Sequence, residues 1–183
     1  QPVLTGHSMG GFVVQKCLER HSAPAAVLMC AVPPQGLAAA AFGMLFERPG
    51  LCADLNRMMA GRPVALDRLR AALFAQPVPV ADLARYYRLA QPESHRAIWD
   101  MMLFGLPHPE RVLQGLPGGA DSLRVLGAGH DLIIPAALVD MTARSYGTGA
   151  TLYAGMGHGL MLEADWRRPA RDIVAWLSER FPG

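Results

Sequence analysis

Ser8 stands in the run Gly6-His7-Ser8-Met9-Gly10-Gly11, directly after the apolar residues Pro2-Val3-Leu4 and ahead of a helix-like stretch at 12–20. A serine between a short strand and a helix, with glycine two positions to either side, reads as a nucleophile elbow. Such a turn holds the serine backbone in a strained conformation costing about 1–3 kcal/mol. It also demands small neighbours, a need that Gly6 and Gly10 are expected to meet. The turn projects the hydroxyl beyond the sheet, and the backbone N–H of Met9, opening the helix, is aimed at a developing oxyanion.

A serine hydroxyl is a weak nucleophile and needs a base, which in turn needs an orienting carboxylate. Two later segments supply them. A strand-like run at 122–126 is followed by Gly127-Ala128-Gly129-His130-Asp131, which puts a carboxylate just past a strand end. A last strand candidate, Thr151-Leu152-Tyr153, runs into Gly155-Met156-Gly157-His158-Gly159. Asp131 is preferred over Asp121, which precedes its strand, and over Asp140, which falls within a helix. His158 is preferred over His7, which is expected to point along the turn and not across it. The expected catalytic set is therefore Ser8, Asp131 and His158, with His158 taking the serine proton and Asp131 holding its tautomer. A rate that depends on such a base falls as the histidine takes up a proton.

The chain order serine, aspartate, histidine resembles that of the α/β-hydrolase family. The resemblance rests on Gly-His-Ser-Met-Gly-Gly at 6–11, Gly-Ala-Gly-His-Asp at 127–131 and Gly-His-Gly-Leu-Met-Leu-Glu at 157–163. Ala31-Val32-Pro33-Pro34-Gln35-Gly36 is similar to the exit from sheet to lid in the lysophospholipase-like and esterase-like branch. The resemblance implies the C-terminal half of a parallel α/β-hydrolase sheet, about four strands flanked by helices, with a helical cap inserted. The chain resembles a C-terminal fragment of the family pattern that begins at the elbow. One oxyanion donor, the Met9 N–H, is thereby assigned; the His-Gly-type loop that provides the other is not in this chain. The implied activity is hydrolysis of a small-molecule carboxylic ester by a carboxylesterase-like or lysophospholipase-like enzyme, through an acyl-serine intermediate and without a cofactor. A thioesterase, a carbon–carbon bond hydrolase, a perhydrolase or an acyltransferase could use the same triad, and a non-catalytic or truncated binding protein is the reading from a different class. Glu163 matches a glutamate that follows the family histidine, and its expected role is hydrogen bonding near the N-terminus of the last helix.

The elements that must position these residues alternate strand and helix, which argues for a parallel sheet. Strands are predicted at 2–6, 25–32, 122–127 and 150–154, and helices at 10–20, 135–146 and 167–181. In the last helix Ile173, Val174, Trp176, Leu177 and Phe181 form an apolar stripe expected to pack on the sheet. The strands are expected side by side, with the first exposing an edge. Between Val32 and Ser122 no strand signal occurs, and a stretch of that length must be a structured insertion. Helices are predicted within it at 37–46, 50–59, 66–74, 80–89 and 93–104. Three units follow: 1–34 carrying the elbow, 35–118 as the helical cap, and 119–183 carrying the acid and the histidine. The cap is rich in Met and aromatic residues, which suits an apolar acyl or alkyl group better than a sugar or phosphate. Candidate substrate contacts are His7, Pro33, Pro34, Met44 and Met102.

Composition narrows the partners. With 183 residues, 51% hydrophobic and 17% charged, the chain suits a soluble domain with a large interior. A net charge of +2 without a basic run argues against nucleic acid, and no apolar stretch approaches the roughly 20 residues of a membrane span. A cytoplasmic location is expected, and the oligomeric state is not legible. Cys17, Cys30 and Cys52 lack C-x-x-C spacing and no disulfide framework is expected; Cys17 and Cys30 read as small buried thiols. The six histidines show no metal-ligand spacing, so no metal is expected.

Overall fold

Four parallel strands form one sheet in the order β1-β2-β3-β4, with β1 at one edge. They are β1 (Leu4–His7), β2 (Ala26–Met29), β3 (Leu123–Ala128) and β4 (Ala150–Tyr153). The computed structural model describes residues 1–182.

Strand positions alternate between two buried faces, as a sheet covered on both sides requires. Ala26 and Leu28 of β2 and Leu123 and Val125 of β3 face one core, while Val27, Leu126 and Ala128 face the other. The first core is closed by α1 (Met9–Leu18), whose Gly11, Val14, Gln15 and Leu18 recur at helical spacing, and by α8 (Ala136–Ser145) with Val139 and Ala143. A fully buried Gln15 ties these layers together. Its Nε2 donates to the carbonyls of Gly11 and Val32, and its Oε1 accepts from the Tyr146 hydroxyl at 2.6 Å. The second core is closed by α9 (Arg167–Arg180) through Ile173 and Trp176. The predicted five-residue stripe is narrower than expected, because Val174 is 62% and Phe181 45% exposed. Val174 follows Ile173 by one residue, a rotation of about 100° that turns it off the packed face.

Two strand boundaries differ from expectation by more than one residue. β1 starts at Leu4, since Pro2 has no N–H to give a ladder. β2 stops at Met29, where Cys30 takes φ of 43°, and its amide donates to the Leu126 carbonyl at 2.8 Å.

Between β2 and β3 the chain makes a helical excursion through α2 (Ala38–Glu47), α3 (Pro49–Met59), α4 (Leu66–Leu73), α5 (Val80–Leu89) and α6 (His95–Trp99), the last running into a π-helical turn at Asp100–Phe104. Leu69, Phe74 and Leu83 give part of it a small core of its own. The excursion opens and closes at one point. The Leu37 N–H donates to the Met101 carbonyl at 3.1 Å, and Gly36, with φ of 78°, lies where a Cβ would come within 2.6 Å of the Met102 carbonyl oxygen. The following helix, α7 (Pro109–Gln114), already belongs to the main core through Val112, as does Leu116 beyond it. The helical excursion therefore rejoins the sheet core at α7. Among the described residues no helix is long and apolar enough to cross a membrane.

Candidate active site

Ser8 links β1 to α1 with φ of 53° and ψ of −120°, a conformation that a non-glycine residue adopts only under constraint. Three backbone bonds impose it. The Ser8 N–H donates to the Met29 carbonyl at 3.0 Å, and the Ser8 carbonyl accepts from Gly11 at 3.0 Å and Val32 at 3.2 Å. The glycine requirement falls partly elsewhere than predicted. A Cβ on Gly6 would lie 2.4 Å from the Gly10 oxygen and one on Gly11 2.3 Å from the Ala31 Cβ, whereas one on Gly10 would meet nothing within 4 Å. The close approach is thus of β1 and of the segment just after β2 to the helix start, at positions 6 and 11.

Asp131 follows β3 and His158 follows β4, so parallel strands deliver both to the same end of the sheet as Ser8. His158 Nδ1 lies 2.8 Å from Asp131 Oδ2, with both side chains buried. Asp131 Oδ1 accepts from the N–H groups of Ile133 and Ile134, each at 2.8 Å. Burial alone would raise this carboxyl's pKa. The hydrogen bond and charge of His158, with the Ile134 and Ile133 amides, reverse that and hold it below the ordinary carboxylate value. An ionised Asp131 only accepts, so the proton in this bond resides on His158 Nδ1, the tautomer whose neutral ring carries the lone pair on Nε2. Asp121 lies in a short turn ahead of β3 and Asp140 within α8, away from the strand ends.

Ser8 and His158 line one cavity of about 200 Å³, together with Met9 and the apolar side chains of Val32, Leu37, Met44, Leu55, Met58, Met59, Leu73, Met101, Met102, Ile133 and Ile134. Among the described residues no hydrogen bond joins the Ser8 and His158 side chains directly across it. Met44 and Met102 line this cavity as predicted candidates, but His7, Pro33 and Pro34 are not among its lining residues. Gln35 instead donates to the Ser145 hydroxyl.

His7 has a different place from the one expected. Its Nε2 is 2.8 Å from the His158 carbonyl oxygen, and the two rings are 4.7 Å apart. Burial, then the proximity of His158, lowers its pKa to about 4, so at neutral pH its Nε2–H donates to that carbonyl. Cys30, expected as an inert core thiol, is buried beside the same cluster. Burial and the neighbouring Asp131 push its pKa far above the ordinary thiol value. The donor atoms of His7, Cys30 and His158 lie within 4.8 Å of one another, a grouping that sequence spacing did not reveal. His7 and His158 are each committed to a hydrogen bond there and the thiol is held protonated, which is a poor starting point for a metal.

The residue that sequence reasoning placed least well is Glu163. It is 1% exposed, and its carboxylate accepts backbone N–H groups from Gly157 at 2.7 Å, Ala75 at 2.7 Å and Gln76 at 3.0 Å. None of these three donors belongs to α9.

The profile of the alpha/beta hydrolase family matches residues 1–175, and the chain belongs to that family. Among solved structures it is similar to a membrane phospholipase A described as a bacterial virulence factor, at 18% identity and a TM-score of 0.66, covering 100% of this chain and 58% of that one. A candidate lipase from Acinetobacter baumannii AYE gives 15% identity and a TM-score of 0.68, covering 97% of this chain and 60% of that one. The esterase EaEST from Exiguobacterium antarcticum gives 17% identity and a TM-score of 0.61, covering 96% and 66%. The chain thus spans about three fifths of the length of the first two. A search of curated proteins found no matching relative.

Proposed function

We propose that the chain carries the site of a serine hydrolase that cleaves carboxylic esters with an apolar acyl or alkyl group, by a Ser8–His158–Asp131 triad. The observation that carries this reading is the 2.8 Å bond from His158 Nδ1 to Asp131 at the rim of a cavity that Ser8 also lines. In the proposed reaction Ser8 Oγ attacks the ester carbonyl while His158 Nε2 takes its proton, and Asp131 stabilises the imidazolium that forms. The Met9 N–H stands at the start of α1, where a helix has no internal acceptor for it, and serves as one oxyanion donor. Collapse expels the alcohol, which takes its proton from His158. Water, deprotonated by the same nitrogen, then releases the acid from acyl-Ser8.

The cavity lining supports the apolar preference. Six methionines line it, and such side chains adapt to an alkyl chain without offering it polar contacts. Residues 37–104 act as the cap and set acyl preference.

A fluorophosphonate probe tests the reading, with the adduct mapped by peptide mass spectrometry and Ser8→Ala as control. Labelling confined to Ser8 is the expected result. A folded chain that takes no label at Ser8 overturns it.

A further inference from the structure

The loop that bears His158 is hydrogen-bonded to the helical excursion at several points. Besides the three N–H groups that Glu163 gathers from Gly157, Ala75 and Gln76, the Gly159 N–H donates to the Leu73 carbonyl at 2.7 Å. The Gln76 side chain and Asp165 exchange two further bonds, each at 3.0 Å. Contact is so close that both glycines around His158 are required by it. A Cβ on Gly157 would lie 2.7 Å from the Ala75 nitrogen, and one on Gly159 2.8 Å from the Phe74 ring. The end of α4 and the histidine loop are therefore one hydrogen-bonded unit, and the Leu73 side chain within that unit lines the cavity.

We propose that Glu163 is a positioning residue that fixes the His158 backbone to the wall of the cavity, so that the base is held in register with the surface that the acyl group contacts. The inference rests on the reading of His158 as the base. A buried carboxylate that accepts three amides has no near-isosteric substitute. Glutamine keeps the volume but turns an NH2 group toward one of the amides, and alanine leaves all three without an acceptor. Misplacement of a catalytic group by about 1 Å costs on the order of 100-fold in rate.

The test compares wild type, Glu163→Gln and Glu163→Ala on a short-chain nitrophenyl ester. Active sites are counted by fluorophosphonate titration, and amide exchange is followed at Gly157, Ala75 and Gln76. The expected result for Glu163→Gln is a kcat per titrated site lowered about 10-fold or more with KM within about twofold, and faster exchange at all three amides. Glu163→Ala is expected to fall further. A kcat per site within about twofold of wild type in Glu163→Gln, with only the melting temperature lowered, makes the residue purely structural and overturns the proposal. If Glu163→Ala does not fold, Glu163→Gln alone decides. Absence of Ser8-dependent labelling in wild type defeats the reading of the base itself, a different outcome from a labelled and unaffected Glu163→Gln.

Discussion

His158 Nδ1 and Asp131 Oδ2 are 2.8 Å apart, while the other oxygen of the same carboxylate accepts the Ile133 and Ile134 amides. The carboxylate is thus oriented by its own loop before it orients the histidine. Asp131→Asn keeps the size of the side chain but presents an NH2 group or an amide oxygen to Nδ1 and no longer enforces the tautomer. The expected result is a fall in kcat of about 10⁴-fold with the labelled site unchanged. Steady-state kinetics with peptide mapping checks it.

Two groups in this cluster make stability fall with acid. The Asp131 carboxyl is held below its ordinary value, so its contribution is complete above that value and is lost as pH falls through the depressed one. His7 goes from 6.5 to about 4, so between those limits the unfolded chain binds a proton that the folded chain refuses. Stability falls as pH drops from 6.5 toward 4, by about 3 kcal/mol if the whole shift is expressed. Thermal melts of wild type and His7→Gln across that window are expected to diverge, the variant losing less. Parallel curves would count against a His7 held neutral by burial.

The glycines of the Ser8 turn are not equivalent. Gly6→Ala and Gly11→Ala drive a Cβ into backbone or side chain at 2.4 and 2.3 Å, and each is expected to destabilise by about 2 kcal/mol or more. Gly10→Ala meets nothing within 4 Å and lies in the first turn of α1, where alanine is the better helix former. Its expected effect runs from neutral to about 1 kcal/mol stabilising. Urea denaturation of the three variants checks the ranking.

Ser8 holds a strained backbone at the turn between β1 and α1. Ser8→Gly removes both the strain and the proposed nucleophile, so it is expected to raise stability by about 1 kcal/mol or more while abolishing probe labelling. A glycine variant less stable than wild type would mean that the turn is not the source of strain.

The alternation of strands and helices, the positions of Ser8, Asp131 and His158 after strand ends and the helices of the excursion were legible from sequence, because each depends on local periodicity or on turn chemistry. Val80–Leu89 was read to the residue, and Leu66–Leu73 to within one. Parallel pairing then followed, since strands joined by helices have little alternative. That Ser8, Asp131 and His158 would share one end of the sheet was implied by their common position after strand ends.

What the sequence did not carry was the identity of long-range partners. Glu163 reads as a residue near the start of α9, yet its acceptors serve amides 87 and 88 positions away, and nothing at 75 and 76 marks a backbone that must be met by a carboxylate. His7 and Cys30 read as a turn residue and a core residue, and only the pairing of β1 with β2, of β2 with β3 and of β3 with β4 brings them to His158 and Asp131. The glycine at 11 was overlooked for the same reason, because its constraint comes from Ala31 in another element. Local sequence determined which elements form and which residue types stand at their ends. The tertiary structure decided which of those ends touch, since buried hydrogen-bond groups are satisfied by whichever partner the packing delivers, however distant along the chain.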